Sequence, residues 1–464
     1  MKRRIIWGLI LTAIVSTMGF YFYHPRLKIS GAYEYVRKAD KYIKEDKYDK
    51  AIELLYKAYQ ESNGSEKVKK ELIYGYIRYI KFLDKKGKIS QAIDCALKAC
   101  EFDSADKTLR HKLAYLYAKK AVIESKEGRA ESASVFIQKS IDAAVFSKKV
   151  RKNISIFLFN HAGEAFNKKD DATLILCLDA SYELWSRIET LDFLGEYYYR
   201  KPELKQALFY WEKAHSIDPD NEDIKKKVEK AKKDMLIREN MKIVKSGSFD
   251  VRLHDEFEID TEKLQEILGG IYKQVGEDLG FFPSLEIPIV LYREQDFRDI
   301  FKKTGITRAF YDGNIRMTLP VGVNDPAFKG VLAHEYTHAV ISMITEGKCP
   351  AWIHEGIAVY EQSRYDPVTT LDFKQYLEEE ENVSLKGLDE GFSQEEDYTR
   401  ILSYEGAYTA VSFILDKWGW NGMRDLLESL KSGKHYVNAM DEVFYMSQPR
   451  FEATWMEYCR NHLT

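Results

Sequence analysis

The residues that could do chemistry sit in two short stretches, Val331-Leu-Ala-His334-Glu335-Tyr-Thr-His338 and Pro350-Ala-Trp352-Ile-His-Glu355-Gly356. On a helix, residues four apart share a face, so His334 and His338 would present two imidazoles to one point. That is the arrangement a zinc ion needs, with Glu335 beside it to act on water activated by the metal. A catalytic zinc usually takes three protein ligands and keeps one position for water, and Glu355 is the natural third. The first helix is well signalled. Asp325 is a plausible N-cap, Pro326 fits the first helical position, and Gly347 can end the last turn. Pro350 can then start a second helix that carries Glu355 back toward the first.

His334-Glu-x-x-His338 followed by Glu355 in a Trp-x-x-Glu-Gly-x-Ala-x-Tyr setting resembles the gluzincin metallopeptidases, in particular the peptidase MA-like group. Ser403-Tyr404-Glu-Gly406-Ala407-Tyr408 is similar to the segment that carries a transition-state tyrosine in gluzincin aminopeptidases. The resemblance covers roughly residues 245–464 and implies one zinc per chain and peptide-bond hydrolysis. Glu335 would be the general base and Tyr404 the oxyanion donor, with Tyr408 as its fallback one turn on. The chain departs from its relatives in two ways. Only sixteen residues separate His338 from Glu355, so the turn between the helices must be tight. No Gly-x-Met-Glu-Asn motif is present, which argues against an aminopeptidase and leaves an endopeptidase or processing role.

Each of these residues also has a plainer reading. A histidine pair at this spacing can be an ordinary polar face of a core helix, and Tyr404 is one of 31 tyrosines. His354 lies about 100° around the helix from Glu355, so it is read as structural or supporting rather than as a ligand. The competing functional class is a catalytically retired peptidase-like scaffold that acts through its repeats. Against it, both histidines, the third ligand and Glu335 are all in place.

The chain of 464 residues is long enough for two or three domains. Its net charge of −3, with 70 basic and 73 acidic residues interspersed, provides no field or patch for nucleic acid. Lys2-Arg3-Arg4 precedes an apolar run over residues 5–23, long enough as a helix to reach about 28 Å across a bilayer. The basic residues would stay cytoplasmic, giving a single-pass anchor over residues 1–24 in a bacterial cytoplasmic membrane with the bulk of the chain outside the cytoplasm. The rival is a cleaved signal peptide and a secreted soluble enzyme, but no Ala-x-Ala site follows. Five scattered cysteines offer neither a disulfide framework nor a Cys-x-x-Cys pair.

Between the anchor and the candidate site, residues 31–240 are predicted to form paired helices in a repeat array. Ala51, Ala92, Ala133, Ala172 and Ala207 recur at spacings of 41, 41, 39 and 35, each followed seven residues later by Ala58, Ala99, Ser140, Asp179 or Ala214. This resembles tetratricopeptide repeats, with longer helices and a weak fourth unit. The resemblance implies a protein partner or substrate bound on the repeats.

After Lys245 the period becomes that of strands, over Phe249–His254, Glu286–Tyr292, Arg308–Tyr311 and Asn314–Leu319, the last two flanking a turn at Asp312-Gly313. Pro288 places its strand at an edge or near a strand start. By analogy with gluzincins, Asn314–Leu319 is the edge strand that would pair with an extended peptide. Helices are predicted over Thr261–Leu279, Tyr404–Trp418, Asn421–Lys431 and Arg450–His462. The predicted architecture is an N-terminal transmembrane helix, an α-helical TPR-like solenoid, and an α+β gluzincin/thermolysin-like peptidase domain over residues 245–464.

Overall fold

The computed structural model describes residues 31–462, except 169, 202, 255, 302–307, 320–321, 380–382 and 395. The anchor expected over residues 5–23 lies outside these, and no helix among the described residues is long and apolar enough to cross a membrane. The chain divides after Ser186 into two compact units.

The first unit is built of antiparallel helix pairs: α1 (Ala32–Lys44) with α2 (Tyr48–Glu61), α3 (Glu66–Lys85) with α4 (Ile89–Phe102), α5 (Lys107–Lys126) with α6 (Ala130–Ala144), and α7 (Lys148–Asn167) with α8 (Asp171–Leu184). The repeat spacing exceeds that of short helical repeats because α3, α5 and α7 each run 20 residues. Ala51, Ala58, Ala92, Ala99, Ala133 and Ser140 are fully buried, as small residues at helix crossings should be. Within three of the pairs the turn holds its positive-φ residue at the same repeat position, as Asp46, Gly87 and Gly128.

The fourth pair corrects the expected register. Ala172 and Asp179 are exposed, and Thr173 and Ala180, one residue later, take the buried positions. Asp170 caps α8 by accepting from the Thr173 amide, and the Thr173 hydroxyl is 2.8 Å from that of Ser125. A buried threonine with a hydroxyl partner substitutes for the alanine, so the small-residue pattern slips by one.

The second unit begins with α9 (Ile188–Arg200), α10 (Leu204–Ile217) and α11 (Glu222–Arg238). The repeat pattern therefore continues through Ala207 and Ala214 while compactness divides earlier. Next come β1 (Met241–Ser246), β2 (Phe249–His254), α12 (Thr261–Leu279), β3 (Ile287–Tyr292), α13 (Glu294–Phe301), β4 (Ala309–Tyr311) and β5 (Ile315–Thr318). The remaining elements are α14 (Pro326–Ile344), α15 (Ala351–Ser363), α16 (Leu371–Glu379), α17 (Leu385–Gly391), α18 (Asp397–Lys431), α19 (Tyr436–Phe444) and α20 (Gln448–His462).

The strands form one sheet in the order β1-β2-β3-β5-β4, antiparallel at its two ends and parallel in the middle. Side chains alternate between its faces. Val251, Ile289 and Ile315 join the main core with Leu268 of α12 and Leu332 and Tyr336 of α14. Val290 and Tyr292 pack on Ile237 of α11 and Phe297 and Ile300 of α13. β3, covered on both faces, is accordingly a run of large apolar residues.

The strand at 314–319 is not an edge: β5 lies between β3 and β4, all four of its residues are buried, and β4 ends the sheet instead. Pro288 is the second residue of a central strand, where its early position accommodates the missing amide. The strand period expected after Lys245 starts earlier, with β1 from Met241, turned onto β2 through Gly247 in the left-handed region. The two helices expected over 404–431 are both present, the first starting earlier, at Asp397, and the two parting at Gly419, whose φ of 66° and ψ of −174° are not helical.

Candidate metal centre

α14 is positioned by its own caps and its core face. Asp325 accepts from the Ala327 amide, Pro326 occupies the first turn, and Leu332, Ala333, Tyr336, Ala339 and Val340 are buried. The helix is apolar nearly all round, and His334, Glu335 and His338 are its polar interruption. α15 follows after a tight turn. Its N-terminus is held by Asp389, whose carboxylate accepts from the Trp352 amide at 2.7 Å.

Glu355 is brought into place by the residue after it. A Cβ at Gly356 would lie 2.5 Å from the Ala407 carbonyl oxygen and 2.6 Å from a Val411 methyl, so only glycine lets α15 and α18 cross this closely. The Glu-Gly pair therefore carries a ligand candidate and the close helix approach that aims it. The same crossing brings up the part of α18 that bears Tyr404.

Donor atoms of His334, His338 and Glu355 lie within 4.8 Å of one another. Glu355 Oε2 is 3.5 Å from His334 Nε2 and 3.3 Å from His338 Nε2. Ligands about 2.0–2.1 Å from a tetrahedral zinc stand about 3.3 Å apart, so these separations suit a shared ion. Glu355 Oε2 is buried and makes no hydrogen bond of normal geometry, although two imidazoles are this close. The three atoms point at a common centre rather than at each other, and a His-His-Glu set is that of hydrolytic zinc sites.

The electrostatics agree. Burial works to raise the Glu355 carboxyl, but the two imidazoles outweigh it and hold the group well below the usual carboxylate range. Burial likewise opposes the charged form of His334, and the Glu355 and Glu335 carboxylates raise it nonetheless. An ionised carboxylate against basic nitrogens is the state in which a cation replaces the histidine proton.

Glu335 is buried at 6% exposure on the same helix. Tyr404 sits two turns into α18 rather than at its start, with its ring edge-on to Phe392 at 5.1 Å. Burial raises the Tyr404 hydroxyl above its ordinary value, and the charges of Glu355 and Glu335 raise it further, so it lies within their field. Tyr408 instead packs against Tyr360, with ring centroids 6.2 Å apart. Cys349 stands outside the converging group, its thiol pushed up by burial.

Several supporting residues carry no signal in the sequence. Asp389 at the start of α15, and Glu405, which accepts from the Phe373 amide of α16 at 2.8 Å, are remote from what they hold. His354 stacks on His338, with centroids 4.5 Å apart and planes within 11°.

Among comparisons with known proteins, no curated protein matches the chain. One solved structure that it resembles is a thermophilic TPR protein of Thermus thermophilus, 17% identical, covering 43% of this chain and 98% of that one. Its TM-score of 0.19 is too low to add to what the helix pairs themselves show. Residues 289–461, which hold all the residues of the centre, match the family model of the Peptidase MA superfamily.

Proposed function

We propose that this chain is a zinc-dependent metallopeptidase that hydrolyses peptide bonds. The observation that carries the reading is the convergence of His334, His338 and Glu355 at ligand spacing, with Glu335 one residue along the same helix. A zinc ion bound there supplies Lewis acidity toward water and the scissile carbonyl. Glu335 takes the proton of the attacking water and returns it to the leaving amine. The Tyr404 hydroxyl donates to the developing oxyanion, from a helix that the Gly356 crossing fixes against α15. β4 ends the sheet beside α14, so an extended peptide can add to it by main-chain hydrogen bonds.

The repeats are proposed to hold a protein partner or the substrate. The run over residues 5–23 is proposed to anchor the chain in the bacterial cytoplasmic membrane with the bulk outside, a topology that protease treatment of intact spheroplasts would test. The direct test of the enzyme reading is metal analysis paired with Glu335→Gln. About one zinc per chain is expected in both proteins, with hydrolysis reduced by about 100- to 10,000-fold in the variant. Equal turnover in the two would exclude this mechanism.

A further inference from the structure

Metal-ligating histidines ordinarily donate their second ring nitrogen to a carboxylate, carbonyl or water, which fixes the plane of the ring. Here His338 turns Nε2 toward Glu355, and its Nδ1 is buried without a hydrogen-bond partner. Something else has to orient this ring. His334 meets it edge-on, with centroids 4.6 Å apart and planes at 87°, a contact along one edge. His354 covers it face-on, 4.5 Å away and within 11° of parallel. The covering ring is itself fixed from α14: its Nε2 is 3.2 Å from the Ser342 hydroxyl, and the His338 backbone provides a further polar contact. Ser342 is one turn beyond His338 on the same helix, so the ligand and the pin of its covering ring move together.

We infer that His354 is a positioning residue for the metal, which sets the plane of the ligand His338 by parallel stacking in place of the usual hydrogen bond. This rests on the proposed metal reading. It explains why a polar ring occupies the position just before Glu355 without belonging to the converging ligand group. The contact needs a flat ring of similar size, pinned at one edge, and does not need the imidazole nitrogens as ligands.

The test uses the full chain, zinc alone in competition with a chelator, and the absorption spectrum of the cobalt-substituted protein. His354→Ala is expected to weaken zinc binding by about 10- to 100-fold, the usual cost of removing a support of a ligand. Its cobalt bands should shift and broaden. His354→Phe keeps a flat ring and should restore most of the affinity and the wild-type spectrum, and Ser342→Ala should fall between. Thermal unfolding of the metal-free proteins provides the control, with both His354 variants expected to stay close to wild type. Zinc affinity in His354→Ala equal to wild type would overturn the inference. So would His354→Phe behaving like His354→Ala, because hydrogen bonding rather than stacking would then be the cause. A wild-type chain that binds neither metal would instead refute the metal reading itself.

Discussion

Around Asp234 and around Glu355 the second unit buries carboxylates among cations or imidazoles, and the two clusters are wired differently. The Asp234 carboxylate accepts from Arg238 Nε at 2.8 Å, Tyr292 Oη at 2.8 Å, Tyr199 Oη at 3.0 Å and Arg316 Nη1 at 3.0 Å. Arg316, fully buried, also donates to Asp312 and to the Tyr199 carbonyl. Of this group Arg238 Nη1 is without a partner. At the other cluster His338 Nδ1 and Glu355 Oε2 both lack one. An unpaired buried polar atom costs about 1–3 kcal/mol, so such atoms persist where something beyond the fold needs them. Nearly filled valences mark the Asp234 cluster as a structural lock, and open ones mark the Glu355 cluster as a site.

The lock joins α9 and α11 to the back of the sheet, because Tyr199 and Asp234 come from helices while Tyr292 and Arg316 come from β3 and β5. This leads to the largest expected effect. A boundary placed at residues 240–245 would leave Arg316 and Tyr292 buried without Asp234. A chain starting at Met241 should therefore be unfolded by circular dichroism and bind no zinc, whereas one starting at Arg187 should fold and bind it. A folded, zinc-binding chain from Met241 would show that the lock is dispensable.

Within the intact chain, Asp234→Ala strands two buried guanidinium groups and should cost about 3–5 kcal/mol, read by urea unfolding. Glu335→Gln, equally buried but in the site, should change unfolding by less than about 1 kcal/mol while removing activity. If both substitutions destabilised alike, the distinction between lock and site would fail.

Tyr404 sharpens the comparison from the catalytic side. Tyr404→Phe removes only a hydroxyl and should lower kcat by about 100- to 1000-fold, roughly 3–4 kcal/mol, with zinc content and KM little changed. Tyr408→Phe, whose ring lies on Tyr360, should turn over nearly as wild type. The reverse pattern would move the donor role to Tyr408.

What was legible in the chain follows the range of the interactions. α14 is written locally in Asp325, Pro326 and the histidine spacing, and its start falls where Asp325 and Pro326 place it. The ligand trio needs one further residue, Glu355, close in sequence and marked by its glycine. Strand order is a different matter. Whether β5 or β4 lies at the edge depends on pairing with β3 across a helix and a turn, and the alternation within 314–319 is the same either way. The start of β1 before Lys245 is obscured because Lys242 and Lys245 are set among its apolar residues on a strand with one partner. The repeat slip at Thr173 was hidden because alanine stands one position earlier. The pin on His354 joins a hydroxyl and an imidazole on two helices, and no spacing rule links them.

The smallest expected effect concerns a third buried carboxyl, which lies between lock and site in its wiring. Glu361 of α15 has no exposed side-chain surface, and its Oε2 is 3.1 Å from Arg364 Nε. That guanidinium is shared, since its Nη2 is 2.7 Å from Asp278. Tyr360 and Tyr365 are the other titratable neighbours, and both stay neutral well above pH 8. Burial therefore dominates, Arg364 offsets it only in part, Asp278 adds to it, and the Glu361 carboxyl is pushed up to about 8. Between its ordinary value of 4.5 and about 8 the folded chain holds a proton there that the unfolded chain has released. The folded state binds more protons in that window, so stability falls as pH rises through it and is fully present below it. Glu361→Gln keeps the shape of the neutral acid and removes the titration. Its melting temperature should match wild type near pH 5 and exceed it by a few degrees at pH 9. Parallel curves for the two proteins from pH 5 to 9 would mean that Arg364 keeps Glu361 ionised, and the carboxyl would then belong with the paired charges of the lock.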